Sequence, residues 1–189
     1  YFRSNLSWFP DNRRVAFAAK TANGDRIHIL DVDRRKIVRS IAPAGMSAIY
    51  ELDVAPDGRS LVFAGQQGMR CDLFLMDLES ENLTRITNDL YNDLQPRFTP
   101  DGQSVVFASE RSRDPETKRR GLFANLNRDI FSLNLADGEL TQHTFEKKDC
   151  SFPQVDAKGQ NLYYINSDGG VSNIFALDLK GGGRAKVTS

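Results

Sequence analysis

The side chains able to act as nucleophiles, acids, bases or metal ligands are either few or regularly spaced. The chain holds two histidines, His28 and His143, and two cysteines, Cys71 and Cys150. A zinc site needs three or four such ligands held close together, and these four residues lie far apart at unrelated places. They give neither a metal spacing nor a disulfide framework, so the cysteines are expected as free thiols and no cofactor is assigned. Hydrolase-type serine chemistry needs a Gly-x-Ser-x-Gly elbow. Its nearest approach, Gly45-Met46-Ser47-Ala48-Ile49, lacks the second glycine. Lyase chemistry through an enolate needs a base and usually a metal, and the two histidines do not cluster. No catalytic residue follows from the sequence.

The carboxylates are plentiful, but Asp57, Asp72, Asp77, Asp101 and Asp129 fall at fixed places in a repeating unit. An active site has no use for several copies of one group, so these read as scaffold. One segment is both irregular and charged. Residues 111–128 carry Arg111, Arg113, Lys118, Arg119, Arg120 and Arg128 against Asp114 and Glu116. They lack the interleaved aromatics that stack on nucleic-acid bases, and read as a solvated loop able to meet an acidic partner.

The elements that must position these groups come from a repeated phrase. It reads Trp8-Phe9-Pro10-Asp11-Asn12-Arg13, then Val54-Ala55-Pro56-Asp57-Gly58-Arg59, then Phe98-Thr99-Pro100-Asp101-Gly102-Gln103, with a worn copy at Val155-Asp156-Ala157-Lys158-Gly159-Gln160. Successive copies are 46, 44 and 57 residues apart, and a period of that size with strand-like content marks propeller blades. In each phrase proline presets φ, aspartate suits the next position and glycine takes the left-handed one. Pro10, Asp11, Pro56, Asp57, Gly58, Pro100, Asp101 and Gly102 are therefore assigned to structural turns, with Asn12 standing in for glycine.

Four strands per unit follow from the flanking pattern. A first strand leads into the phrase (5–9, 50–55, 95–99, 152–156), and a Val- and Phe-rich second strand leaves it (14–18, 60–64, 104–109, 161–166). An alternating third strand follows (26–31, 72–77, 129–134, 173–178), then a more polar fourth (37–41, 83–87, 140–144, 184–188). Phe74, Phe131 and Phe175 share one slot with His28, which is therefore expected as a half-buried replacement for an aromatic. No window sustains a helical period. The fold class is all-β, a β-propeller of four-stranded antiparallel blades, four of them, near 1–44, 45–88, 89–145 and 146–189. Since closure requires the last blade to pair with the first, the four are expected to form part of a ring.

Equal numbers of acidic and basic residues, 25 of each, give no global attraction to nucleic acid or anionic lipid. No apolar run reaches the roughly 18 to 20 residues of a bilayer span, so no nucleic-acid partner and no direct membrane insertion are expected. The chain opens without methionine or a leader, and its compartment is not readable from that end.

The phrase, the β run ending in Phe107-Ala108-Ser109, the Asp129-Ile130-Phe131 and Asp72-Leu73-Phe74 starts, and the terminal Thr84-Arg85-Ile86-Thr87 together resemble the TolB-type propeller repeat. The resemblance covers residues 5–188; Asn12 and Ala157-Lys158 depart from the pattern. It implies a protein- or peptide-binding scaffold in the periplasm or cell envelope, part of a larger bacterial protein. Similar repeats also form accessory propellers of prolyl-oligopeptidase-like serine peptidases, whose catalytic domain would lie outside this chain. The loops joining second to third strands (20–24, 66–70, 111–128, 167–171) should share one face. Arg70, Arg119, Arg120 and Asp168 are its candidate contact residues.

Overall fold

The computed structural model describes residues 5–111, 127–167 and 170–188. Its first sheet contains β1 (Ser7–Trp8), β2 (Arg14–Thr21), β3 (Gly24–Asp31) and β4 (Lys36–Ile41). The second contains β5 (Ala48–Val54), β6 (Ser60–Gln67), β7 (Arg70–Asp77) and β8 (Leu83–Arg85). The third contains β9 (Asp93–Phe98), β10 (Ser104–Ser109), β11 (Asp129–Asn134) and β12 (Leu140–Gln142). The fourth contains β13 (Cys150–Val155), β14 (Asn161–Asn166), β15 (Asn173–Asp178) and β16 (Arg184–Lys186). Each sheet is antiparallel with its strands in chain order. These are four propeller blades, open rather than closed into a barrel.

Strand periodicity builds the seams between blades. Along β6, Leu61 and Phe63 pack with the apolar residues of blade 1, while Val62 and Ala64 pack with those of blade 3. Successive side chains point to opposite faces, so a central strand buried on both sides reads as a continuous apolar run. A third cluster joins Val106, Ala108 and Ile130 of blade 3 to Leu162, Tyr164 and Phe175 of blade 4. Consecutive blades pack extensively, and among the described residues no comparable packing joins blade 4 to blade 1.

The aromatic slot is a cross-strand ring pair. Phe63–Phe74, Phe107–Phe131 and Tyr164–Phe175 stack with centroids 5.6, 6.2 and 5.9 Å apart. His28 lies against Phe17 at 5.4 Å in the same register, half-buried, and burial lowers its pKa.

Several strand boundaries differ from those expected, beginning with β1, which spans Ser7–Trp8 in place of 5–9. The inner strands of blades 2 to 4 begin two residues earlier, because pairing resumes beyond a bulge; Gln95 and Phe152 sit at that bulge with φ of 57° and 52°. The fourth strands of blades 2 to 4 end early, because a threonine hydroxyl takes over from the ladder. Leu73, Ile130 and Ile174 donate their N–H groups to Thr87, Thr144 and Thr188 at 2.9, 2.8 and 3.0 Å. The supposed loops at 20–24 and 66–70 are also mostly strand. Pairing runs to Thr21↔Gly24 and Gln67↔Arg70, leaving two-residue turns.

Candidate functional site

Antiparallel order puts the two ends of every blade to different use. The turns between first and second strands gather at one end. Second-to-third turns and the connectors to the next blade gather at the other.

At the first end the repeated phrase forms the same turn in three blades. Gly58 and Gly102 donate to the carbonyls of Ala55 and Thr99 at 2.8 Å, and Asn12 to Phe9 at 3.1 Å. Asp11, Asp57 and Asp101 accept from the N–H groups of Arg13, Arg59 and Gln103. At Asp11 and Asp101 those bonds favour the carboxylate. The Arg13 N–H and then the Arg14 side chain hold Asp11 down to about 2, and the Thr99 hydroxyl lowers Asp101. Pro10 and Pro56 serve the turns of the following blades, because a Cβ on Gly58 would come within 3.1 Å of Pro10, and one on Gly102 within 3.6 Å of Pro56. Pro100 opens the third turn. In the worn copy Asp156 takes over, accepting from Gln160 N–H and the Asn161 amide, both at 2.8 Å.

The other end carries the recurring threonine clamps together with groups that do not recur. Asp93 at the start of β9 is fully buried and bonds Arg111 at 2.6 Å; Arg111 also reaches Asp89 at 2.7 Å. Burial pushes Asp93 up to about 6, against the opposing pull of Arg111. Arg111 further lies over the Phe107 and Phe131 rings. It was expected in a solvated loop and is instead 6% exposed, because the aromatic pair and two carboxylates supply what water would. Buried Asp72 pairs with Arg85 at 2.6 Å, and burial raises its pKa despite that partner. Arg128 is held by both oxygens of Asp149, which raises the arginine's pKa.

Between these groups a pocket of about 320 Å³ opens at the seam of blades 2 and 3. Tyr50 and Glu51 of β5, Leu94 and Gln95 of β9, Met69 of the β6–β7 turn, Arg70 at the start of β7, and Arg128 line it. The bulge positions the inner-strand residues, and Gln95 is fixed by accepting the Phe152 N–H at 2.7 Å. Tyr50 donates to Gln66 at 3.0 Å. Met69 is 96% exposed at the mouth. Cys71 also lines the pocket, but burial, reinforced by Glu51 and other carboxylates, drives its thiol pKa far up, which disfavours the reactive thiolate.

Of the contact residues named from sequence, Arg70 lies in this pocket. Arg119, Arg120 and Asp168 lie outside the described residues. Glu51 and Gln95 escaped the sequence reading, because nothing in a strand pattern marks a bulge neighbour as pocket lining; the Gln95-Pro96 step was the available signal. No group of three or more His, Cys, Asp or Glu able to hold a metal occurs among the described residues. Among them also, no helix is long and apolar enough to cross a membrane.

Comparisons agree with this geometry. The family described as TolB beta propeller domain matches residues 4–189. A Tol-Pal system protein TolB of Francisella tularensis subsp. tularensis (strain WY96-3418) is 26% identical over 223 residues, spanning 93% of this chain and 48% of the relative. Dipeptidyl-peptidase 5 of Porphyromonas gingivalis is 26% identical over 155 residues, 75% of this chain and 21% of that protein. The crystal structure of TolB from Acinetobacter baumannii superposes with a TM-score of 0.75 at 20% identity, covering 97% of this chain and 43% of that one. The chain thus spans about half the length of the TolB relatives it matches.

Proposed function

The chain belongs to the TolB beta propeller domain family, and on that premise we propose that it is a non-catalytic scaffold that binds a protein or peptide. The blades belong to a larger bacterial envelope protein, with the periplasm as its compartment. The observation that carries this reading is the contrast between the two blade ends. Groups that recur are consumed by turns and clamps, while the groups that do not recur surround an open pocket rimmed by the exposed Met69 and by Arg70. Exposed apolar and arginine side chains beside a pocket are the usual anchors of a protein contact. Residues 1–189 act as one propeller segment, with Arg70 as the candidate contact residue among the described residues.

Because the TolB relative is named as part of a Tol-Pal system, the natural test partner is the purified Pal protein of the same organism. Calorimetry should detect binding to the chain and lose it in the Met69→Asp/Arg70→Glu double variant. A variant at the opposite end, Asp57→Ala, should bind normally. Binding unaffected by the double variant would remove this face from the reading.

A second reading is favoured by the peptidase match. The blades would then gate a serine peptidase whose catalytic domain lies elsewhere in the polypeptide. Hydrolysis of a proline-containing reporter by these residues alone would contradict both readings.

A further inference from the structure

We propose that the pocket between the second and third blades receives a basic side chain, lysine or arginine, of the bound segment, with Glu51 as its counter-ion. The proposal rests on the binding reading above and names the chemistry of its anchor.

Four observations converge on it. Glu51 lines the pocket, and its Oε2 is shielded from solvent without a hydrogen-bond partner among the described residues. A buried carboxylate oxygen left unpaired is costly, and a charge-assisted donor relieves that cost. The second observation concerns the cations already present. Arg128 feels the charge of Glu51, but its Nε and one terminal nitrogen bond Asp149 and no ion pair joins it to Glu51 among the described residues. Arg111 and Arg85 are likewise committed to Asp93 and Asp72. Third, the cavity of about 320 Å³ accommodates one long side chain rather than a folded element. The ring of Tyr50, Leu94 and the mouth residue Met69 offers apolar surface for a lysine or arginine stem, as such side chains require. Fourth, Arg70 lines the pocket, but no ion pair joins it to Glu51 or to another carboxylate among the described residues. Its positive charge favours an acidic residue beside the basic one. The recognised segment therefore carries a base flanked by an acid.

The test uses the whole 189-residue chain and four blocked peptides, acetyl-Gly-Gly-X-Gly-Gly-amide, with X lysine, arginine, norleucine or glutamate. Titration to millimolar concentration is followed by amide NMR. The lysine and arginine peptides should shift the signals of Tyr50, Glu51 and Gln95, and norleucine should bind about tenfold or more weakly. Glu51→Gln should abolish the preference for lysine over norleucine without changing the melting temperature, and Glu51→Asp should retain part of it. Equal binding of norleucine, preference for glutamate, no binding by any peptide, or an unchanged preference in Glu51→Gln would each overturn the assignment. A lost lysine preference alongside Pal binding that still depends on Met69 and Arg70 would fell the pocket assignment alone. The reverse pattern would fell the proposed partner face alone.

Discussion

The two ends of the blades use the same residue type in opposite ways. At the Pro-Asp-Gly end, Asp11 and Asp101 sit in water-facing turns, where N–H or hydroxyl donors lower their pKa values. At the connector end, Asp72, Asp93 and Asp129 are buried, and desolvation raises theirs. A turn aspartate stabilises one hairpin at little cost, because water still solvates its free oxygen. A buried aspartate is tolerated only because an arginine or threonine of its own blade is placed against it, Arg85 on Asp72, Arg111 on Asp93 and Thr144 on Asp129. The turn is self-sufficient local structure, whereas the buried end adds to its recurring aspartates the non-recurring Asp93–Arg111 pair and the pocket where blades 2 and 3 meet.

The sharpest way to break this contrast is to unpair a seam. Arg111→Met should destabilise the fold by about 3–5 kcal/mol near neutral pH, as removal of one member of a buried ion pair does. The sign of its pH dependence follows from Asp93. With a folded pKa near 6, above the unfolded value, this carboxyl favours folding most below the unfolded value. That contribution is lost as pH rises through the folded pKa. The variant's deficit, read from urea midpoints, should therefore shrink as the solution is acidified below pH 6, while a constant deficit would mean Asp93 is not the group left stranded.

A smaller effect is expected at the turns. Gly58→Ala forces a side chain onto φ of 69° and against Pro10, and should cost about 1–3 kcal/mol. Gly159→Ala meets the same backbone strain, with φ of 67°, but nothing within 4 Å. It should cost less, and equal losses in denaturant melts would show that turn-to-turn packing contributes nothing. The gentlest comparison perturbs no residue at all. Carboxyl-selective NMR titration should place Asp11 near 2 and Asp93 near 6. Overlapping midpoints would erase the distinction between the two ends.

Much of the scaffold was legible. Phe74, Phe131 and Phe175 announced one slot, and the structure makes it a ring pair with Phe63, Phe107 and Tyr164. His28 read correctly as a substitute in that slot. The candidate site was mostly hidden. Arg70 was named for its place beside a turn, whereas Arg111 was grouped with a solvated loop although it is buried under two carboxylates. Charge alone does not distinguish an arginine facing water from one facing Asp93, when the aspartate is 18 residues away.

What the sequence by itself determined is everything confined to one repeat: strand order, hairpin turns, the period-two alternation and the all-β class. These depend on bonds between residues close in the chain, so composition and spacing suffice. The tertiary structure decided which non-repeating groups meet. Glu51 and Gln95 come from different blades, and they reach one pocket through a bulge and the rotation of one sheet on the next. Which carboxylate is buried depends on that packing, because desolvation is a property of the assembled sheets and not of any segment within them.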